Sequence, residues 1–324
     1  MQPEKDLSRG NFDPFEQNQR LGAGVNLGNA LEAPQEGDWG VVLMSEYFDL
    51  IKQAGFQSVR IPIRWSAHTT TAPPFAIDSR FFDRVDWAIE QAFSRSLAVI
   101  INIHHYEEIM QDALGHKARF LAIWDKIAAH YQNHPADLFF EILNEPNSNL
   151  SPDRWNQFLN EAIAVIRKTN TDRTLLVGTA NWGGAGSLQN LVLPEEDRNI
   201  IVTVHYYNPF QFTHQGAEWV SGSNVWLGTT WTGTDAEKQT VINDFWSVAN
   251  WSKLHNRPLN LGEFGAYSKA DMDSRVRWTA FVTRTAEANG MSWHYWEFIA
   301  GFGVLNNTTN DWNIELLKAL VPSS

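Results

Sequence analysis

Eight short, apolar, β-prone segments alternate along this chain with amphipathic segments of helical periodicity, and this alternation restricts the fold more than any other feature. Strands that alternate with helices form βαβ units, in which the strands lie parallel and are covered on both faces. The predicted strands are residues 23–27, 58–63, 98–104, 138–145, 175–179, 200–206, 259–263 and 292–297. Eight such units predict an α/β protein built as one (β/α)8 TIM barrel.

The segments between the strands predict the outer ring of helices. They are residues 46–54, 79–96, 117–132, 152–168, 235–255, 271–289 and 314–320, with a short glycine-rich candidate at 183–191. The stretch Asp13–Pro14–Phe15–Glu16 has the N-cap, proline and glutamate of a helix start. Residues 1–12 before it are expected to be loosely ordered. No linker or repeat divides the chain, so residues 1–324 are predicted to form a single barrel domain.

Composition and charge exclude several classes of function. The sequence has 25 basic and 37 acidic residues, and the net charge of −12 argues against nucleic acid or anionic membranes as partners. Without cysteine there is no thiolate nucleophile, disulfide or cysteine-based zinc site. No apolar stretch is long enough to span a bilayer. The 15 tryptophans suit a large core and also a cleft that stacks on the apolar faces of sugar rings.

Two glutamates end predicted strands in the same way. The mostly apolar run 138–143 changes abruptly to Asn144–Glu145, and Pro146 then stops the strand because it has no N–H for the ladder. The second apolar strand ends at Glu263, between Gly262 and Gly265. Catalytic residues of parallel barrels lie at the C-terminal ends of the strands. We therefore predict an active site at that end of the barrel.

Other polar or aromatic side chains fall at predicted strand ends as well. They are Asn26, Arg60, His104, His105, His205, Tyr207 and Trp296. Each one alone has a structural explanation: an ion pair explains Arg60, and a hydrogen-bonded core position explains His104. Ionisable groups at six strand ends of one barrel favour a catalytic mouth instead.

Three kinds of chemistry can be compared with this set of residues. The adjacent His104 and His105 would point to opposite faces of a regular strand and would chelate a metal poorly, and no H-x-H or H-E-x-x-H pattern occurs. The glycine-rich run 183–186 lacks the lysine of a phosphate-binding loop. Glycoside hydrolysis needs one protonated and one ionised carboxyl group, as two strand-end glutamates provide. An arginine beside the second carboxyl is expected to lower its pKa, and burial with the like charge to raise that of the first. A metal-dependent hydrolase and a non-catalytic glycan-binding barrel stay open as alternatives.

Five short motifs follow one another along the chain: Arg60–Ile61–Pro62, His104–His105–Tyr106, Asn144–Glu145–Pro146, His205–Tyr206–Tyr207 and Gly262–Glu263–Phe264–Gly265. In this order they resemble glycoside hydrolase family 5, the retaining endo-cellulases and endo-mannanases of the 4/7 superfamily. The resemblance extends from Asp13 to about Leu320. Residues 28–34 (GNALEAP) and 206–210 (YYNPF) look most like the Thermotoga-type endoglucanases of that family.

The resemblance implies a role for thirteen positions. Six match catalytic positions: Glu145 as acid/base, Glu263 as nucleophile, Asn144 on the sugar 2-hydroxyl, Arg60 and Tyr207 holding the nucleophile, and His205 beside the acid/base. Seven match substrate contacts: His104 and His105 beside the −1 sugar, Trp296 as its stacking platform, and Asn26, Glu32, His214 and Trp219 at outer subsites. The family also implies a cis peptide bond at Trp296–Glu297.

The activity that the resemblance implies is a retaining endo-β-1,4-glucanase acting on cellulose-type and mixed-linkage β-glucans, and also on mannan. An endo-β-1,4-mannanase or a xyloglucanase would use the same machinery. Neither metal nor organic cofactor is expected, and the partner is a polysaccharide or oligosaccharide bound by a monomer. A polymeric substrate favours secretion with a leader that this sequence does not include, and cleavage of short oligosaccharides in the cytoplasm stays open.

Overall fold

The computed structural model describes residues 13–322, so the expectation for residues 1–12 lies outside the described part. Its eight strands are β1 (Ala23–Asn26), β2 (Ser58–Ile61), β3 (Ala98–Asn102), β4 (Leu138–Glu141), β5 (Leu175–Gly178), β6 (Ile200–Tyr206), β7 (Leu259–Phe264) and β8 (Ser292–Tyr295). They pair in chain order, and β8 closes on β1 in parallel. The predicted (β/α)8 barrel is confirmed.

The helices of the described residues surround this barrel. They are α1 (Pro14–Leu21), α2 (Ser45–Gln53), α3 (Ser79–Phe93), α4 (Glu107–Gln111), α5 (Ala113–His130), α6 (Pro152–Arg167), α7 (Phe210–Thr213), α8 (Asp235–His255), α9 (Met272–Ala288) and α10 (Ile314–Leu320). The glycine-rich candidate at 183–191 is a 3-10 helix, Ala185–Asn190, because its glycines favour a tight connection over a regular helix. Across residues 13–322, no helix combines the length and apolar character needed to cross a membrane.

Helix α1 closes the N-terminal end of the barrel. The Asp13 side chain accepts a hydrogen bond from the Phe15 N–H at 2.9 Å, which caps the helix as predicted. At the other end of α1, Leu21 packs into the barrel interior with residues of β3 to β6: Ala98, Ile100, Phe139, Leu176 and Ile201. Alternate residues of those strands face the helices, so the barrel is filled on the inside and covered on the outside.

The opposite half of the barrel interior is polar. The Ser58 hydroxyl donates to the Leu21 carbonyl at 2.6 Å, so it accepts from His294 Nε2 at 2.9 Å. The other ring nitrogen, Nδ1, then accepts from the Asn260 amide at 3.2 Å. Asn260 also donates to Ser292 at 2.8 Å. His294 is therefore neutral and both of its ring nitrogens are hydrogen-bonded.

The tryptophans divide between core and surface. Six are fully buried, and each would cost about 3–5 kcal/mol of stability if truncated to alanine: Trp65, Trp124, Trp155, Trp231, Trp278 and Trp293. Four others are exposed: Trp39, Trp182, Trp219 and Trp246. Trp39, Trp182 and Trp219 lie in loops at the C-terminal side of the strands. Both functions proposed for tryptophan, core filling and an aromatic-lined cleft, are thus compatible with the fold.

Candidate active site

The predicted polar residues do meet at the C-terminal end of the barrel, but several follow strands instead of ending them. β3 stops at Asn102 and β4 at Glu141, so His104 and Glu145 lie in the first residues of loops. Both strands are shorter than predicted. Because the chain has left the ladder, neighbouring side chains such as His104 and His105 no longer need to point to opposite faces.

Irregular pairing aims two further side chains at the site. The register between β6 and β7 shifts between Val204 and His205, and the register between β7 and β8 shifts between Leu261 and Phe264. Such bulges redirect the side chains beside them. They bring His205 and Glu263 to the same point above the barrel interior.

Arg60 is the buried centre of the site, and all five of its N–H groups have an acceptor. Nε and Nη2 donate to the two oxygens of Glu141 at 2.6 and 2.7 Å, which is a bidentate pair. Nη2 also donates to Asn144 Oδ1 at 2.9 Å. Nη1 donates to Asn26 Oδ1 at 2.8 Å and to Glu263 Oε1 at 2.7 Å. The guanidinium therefore fixes residues from several strands in one plane.

Glu263 is held through both carboxylate oxygens. Oε1 accepts from Arg60, and Oε2 accepts from the Tyr207 hydroxyl at 3.0 Å. Burial raises the pKa of Glu263 above the ordinary glutamate value, and the positive charges of His205 and Arg60 offset this only in part. Arg60 does lower the pKa of Glu263 as predicted, but burial outweighs it, so the net shift is opposite to the expected lowering. Burial and the neighbouring carboxylates raise the pKa of Tyr207 well above its usual value, which keeps its hydroxyl a donor.

Glu145 lies opposite, with its side chain about a quarter exposed to solvent (27%). Its Oε1 accepts from His205 Nδ1 at 2.8 Å, and the same nitrogen is 3.6 Å from Glu263 Oε2. The backbone of Glu145 is left-handed, with φ of 45°, and the Asn147 amide donates to its carbonyl at 2.8 Å. Burial alone would lower the pKa of His205, but the charge of Glu263 and the hydrogen bond that His205 donates to Glu145 raise it. His205 thus links the two carboxyl groups.

A flat wall borders the carboxyl pair. The rings of His104 and Trp296 are parallel within 6° with centroids 5.7 Å apart. Asn102 donates to His104 Nδ1 at 3.0 Å, and burial lowers the pKa of His104 well below its usual value, so its ring is neutral. Beyond it, His105 packs edge-on against the half-exposed Trp39 at 5.4 Å. The peptide bond Trp296–Glu297 is cis, as the resemblance implies.

Two residues predicted at outer subsites are also part of the buried framework at this end of the barrel. Asn26 is fully buried, donates to main-chain carbonyls of β7 and β8, and accepts from Arg60. Glu32 is also fully buried and accepts from the N–H groups of Asn29 and Ala30. Burial raises the pKa of Glu32 to about 8. Neither side chain is exposed in the mouth, and the contact of these two residues with sugar stays a prediction.

His214 and Trp219 lie on the long loop after β6. His214 is buried, stacks on Phe210 at 4.0 Å, and meets the Tyr207 ring edge-on at 4.9 Å. It therefore supports Tyr207 from behind. Trp219 is 61% exposed and packs edge-on against Tyr267. Of the two, Trp219 has the exposed surface that a substrate contact requires.

Sequence reasoning missed several residues of this end of the barrel. Glu141 and Asn102 lie within predicted strands, where a charge or an amide in a mostly apolar run signals an inward-facing polar position. Trp182 follows β5, is 58% exposed, and donates its main-chain N–H to the Pro146 carbonyl at 3.2 Å. Its left-handed backbone, with φ of 59°, was not recognisable from the sequence.

The arrangement favours paired-carboxylate chemistry over a metal centre. One carboxylate oxygen each from Glu145 and Glu263 and one ring nitrogen of His205 lie within 4.8 Å of one another, a spacing that also suits the ligands of a cation. Both oxygens of Glu263 are already engaged, one of them by the guanidinium of Arg60. A cation placed there would be repelled by Arg60 and would have to displace the Tyr207 hydroxyl. The same spacing lets one carboxyl act on each side of a scissile bond.

Comparison with known proteins gives the class of this fold and site. Residues 22–301 match the family model described as Cellulase (glycosyl hydrolase family 5). The chain therefore belongs to glycosyl hydrolase family 5 and is a glycoside hydrolase.

Its relatives are named as endoglucanases. Endoglucanase H of Acetivibrio thermocellus is 38% identical over 95% of this chain, which spans only 33% of that protein. Endoglucanase B of Clostridium cellulovorans is 30% identical over 92% of the chain and 73% of its own length. Structures of Thermotoga maritima Cel5A, with cellobiose and with mannotriose, are 55% identical, cover 95% of this chain and 100% of theirs, and have TM-scores of 0.94.

Proposed function

We propose that this chain is a retaining endo-β-1,4-glucanase that cleaves internal links of cellulose-type and mixed-linkage β-glucans. The observation that carries the proposal is the closeness of Glu145 and Glu263: a carboxylate oxygen of one lies within 4.8 Å of a carboxylate oxygen of the other. Retaining glycosidases have carboxyl groups about 5–5.5 Å apart, whereas inverting enzymes leave about 6.5–9.5 Å for a water molecule. The spacing supports direct attack by one carboxylate on the sugar.

In the first step, a carboxylate oxygen of Glu263 bonds to the anomeric carbon as the bond to the leaving oxygen breaks. Glu145 gives its proton to that oxygen, and a glycosyl ester of Glu263 forms. Arg60 and Tyr207 hold the attacking carboxylate at 2.7 and 3.0 Å, so it is oriented before the sugar arrives.

In the second step, the ionised Glu145 takes a proton from water, whose oxygen attacks the anomeric carbon from the side the leaving group vacated. The ester bond breaks, Glu263 is released as a carboxylate, and the configuration is retained. His205 donates to Glu145 Oε1 at 2.8 Å and holds this carboxylate in place during this step.

The walls of the site suit a pyranose ring. Asn144 accepts from Arg60 through Oδ1, which turns its amide N–H2 group away from the guanidinium and makes it available to a sugar hydroxyl. The stacked His104 and Trp296 offer a flat aromatic surface, and His105 lies next to His104. These contacts support the roles implied by the resemblance.

Mannan and glucomannan are proposed as further substrates of the same site. The observation in favour is that the Thermotoga maritima protein, 55% identical to this chain, has been solved with mannotriose as well as with cellobiose. Glucose and mannose differ only in the orientation of the 2-hydroxyl, which the Asn144 amide would contact. We further propose that the chain acts as a secreted monomer.

The deciding experiment compares initial rates on carboxymethyl-cellulose, barley β-glucan, glucomannan, galactomannan and xyloglucan, with EDTA present. Glu263→Gln serves as the control for each polymer. We expect the glucans to be cleaved fastest and the variant to lose nearly all turnover while its circular dichroism is unchanged. Dominant cleavage of mannan or xyloglucan would overturn the substrate assignment, and inhibition by EDTA would favour a metal-dependent hydrolase.

The roles of the two glutamates are tested by chemical rescue. Glu145→Ala should regain activity when azide is added with an aryl β-cellobioside whose leaving group needs no proton, and the product should be a β-glycosyl azide. An α-glycosyl azide, or an active Glu263→Gln, would refute the assignment.

A further inference from the structure

Glu141 lies below the carboxyl pair, at the end of β4, and is fully buried. We propose that Glu141 is a positioning residue of the reaction: it takes the bidentate edge of Arg60 and leaves the nucleophile Glu263 a single N–H of that guanidinium. This inference rests on the proposed function, in which Glu263 attacks the sugar. Glu141 itself does not contact the reacting atoms.

The division of the Arg60 donors carries the inference. Both Glu141 oxygens receive N–H groups, at 2.6 and 2.7 Å, along the Nε–Nη2 edge. Asn144 and Asn26 each take one N–H, so only one Nη1 donor is left for Glu263, at 2.7 Å. An arginine free of Glu141 would be able to turn its bidentate edge to Glu263 and bind both of its oxygens.

The charges are divided in the same way. Arg60 carries one positive charge and faces two carboxylates, so the closer bidentate partner takes most of its effect. Burial would raise the pKa of Glu141, but the charge and hydrogen bonds of Arg60 lower it below the usual value. The pKa of Glu263, by contrast, is raised by burial despite Arg60. Glu141 is thus the ionised counterion, and Glu263 stays a basic and reactive carboxylate.

Other titratable groups also face Glu263 and must be held constant in a test. They come from every neighbouring element: Arg60 on β2, His105 after β3, Glu145 after β4, and His205 and Tyr207 at the end of β6. His104 and His294 lie near Arg60. A single change at Glu141 substitutes none of them, so a difference between variants traces to the loss of the Glu141 carboxylate.

A second contact extends the influence of Glu141. Its Oε1 lies 3.4 Å from the Asn102 amide, which also donates to His104 Nδ1 at 3.0 Å. The same carboxylate therefore helps to orient the residue that stacks on Trp296. A loss of Glu141 is expected to affect the rate of attack more than the binding of the polymer.

The experiment measures pH profiles of Glu141→Gln, Glu141→Asp, Glu145→Gln and Glu263→Gln in the full chain, on barley β-glucan and on 2,4-dinitrophenyl β-cellobioside. Glutamine at position 141 removes the negative charge, and its N–H2 group faces one N–H donor of Arg60 in place of an acceptor oxygen. We expect kcat to fall about 100-fold with little change in KM, as for a displaced catalytic group. The acidic limb of kcat/KM should move to lower pH, because Arg60 then acts on Glu263 alone.

The leaving group separates the two carboxyl roles. Dinitrophenolate needs no proton, so Glu145→Gln should recover most of its rate on this substrate, whereas Glu141→Gln should stay slow. Glu141→Asp, which keeps the charge, should keep the acidic limb at the position of the unmodified protein. An unshifted limb in Glu141→Gln, or its recovery with dinitrophenolate, would refute the proposal.

Two further results keep the outcomes distinct. If Glu141→Gln does not fold, the rate at which 2,4-dinitrophenyl 2-fluoro-β-cellobioside traps Glu263 is measured in Glu141→Asp: slower trapping supports the proposal and an unchanged rate overturns it. Substantial turnover by Glu263→Gln would refute the proposed function itself. If Glu263→Gln is inactive and the pH profile of Glu141→Gln is unaltered, only the role of Glu141 is refuted.

Discussion

Protonation of the buried His294 is expected to destabilise the protein in mild acid. Its two ring nitrogens are committed to Ser58 and Asn260, and this pattern accommodates a single ring proton. A second proton on Nδ1 would turn this nitrogen into a donor that faces the N–H2 donor of Asn260. It would also place an unpaired positive charge inside the barrel. The folded protein therefore resists a proton that the unfolded chain accepts.

The magnitude follows from the shift in its pKa. Burial lowers the pKa of His294 from the ordinary value of 6.5 to about 3. Between these values the unfolded chain binds one more proton than the folded protein, so the free energy of unfolding decreases as the pH falls through this window. Each pH unit below 6.5 costs about 1.4 kcal/mol, or about 2.7 kcal/mol at pH 4.5. Above pH 6.5 this contribution is fully present.

Urea unfolding followed by tryptophan fluorescence, from pH 7.5 to pH 4, measures this slope. His294→Gln is the matched control, because glutamine offers an N–H to Ser58 and a carbonyl oxygen to Asn260 but does not titrate. The stability of the unmodified protein minus that of the variant should fall by about 1.4 kcal/mol per unit below pH 6.5. A difference that does not change with pH would refute the neutral, doubly bonded histidine.

Three substitutions test the walls of the site. Tyr207→Phe removes the 3.0 Å hydrogen bond to Glu263, which is worth about 1.5–3 kcal/mol for a charged acceptor. We expect kcat to fall about 10- to 100-fold and the acidic limb of the pH profile to move to higher pH. An unchanged acidic limb would contradict this reasoning. Trp296→Ala should lower kcat/KM on cello-oligosaccharides about tenfold or more, and unaltered kinetics would exclude a stacking platform. Gly183 has a φ of 69°, and a Cβ there would lie 3.2 Å from the His205 ring. Gly183→Ala should therefore cost about 1–2 kcal/mol in urea unfolding and also lower kcat, whereas an unaffected rate would show that the ring position tolerates the change.

The sequence was sufficient to predict the barrel and the two glutamates, for a physical reason. Parallel strands covered on both faces appear as mostly apolar runs, and a polar residue just beyond such a run lies at the C-terminal edge. Glu145 and Glu263 both follow this pattern, and the structure brings them together at that edge. Strand lengths were overestimated because an apolar residue after the last ladder bond, such as Leu143, looks the same in sequence as one within the strand.

Contacts with partners distant in sequence are the part that the sequence does not reveal. Asn26 is polar and lies at a strand end, but it donates to main-chain carbonyls 236 and 268 positions further along the chain and accepts from Arg60, and these contacts bury it. The pKa of Glu263 is raised because burial outweighs the charges of His205 and Arg60, and the depth of burial is not visible in the sequence. Nor does the sequence show that Glu141 also pairs with Arg60. Pairwise reasoning along the chain does not reveal how one cation is divided between two anions.

The contacts of Arg60 also bear on how the protein is inactivated by heat. Its acceptors belong to β1, β4 and β7 and to the loop after β4. Hydrogen bonds through the centre of the barrel therefore connect Asn144 and Glu263 to these strands. Active-site loops often open locally well before a protein unfolds as a whole. Here Asn144 and Glu263 separate only when bonds that also tie the strands together break. Thermal loss of activity should therefore coincide with global unfolding.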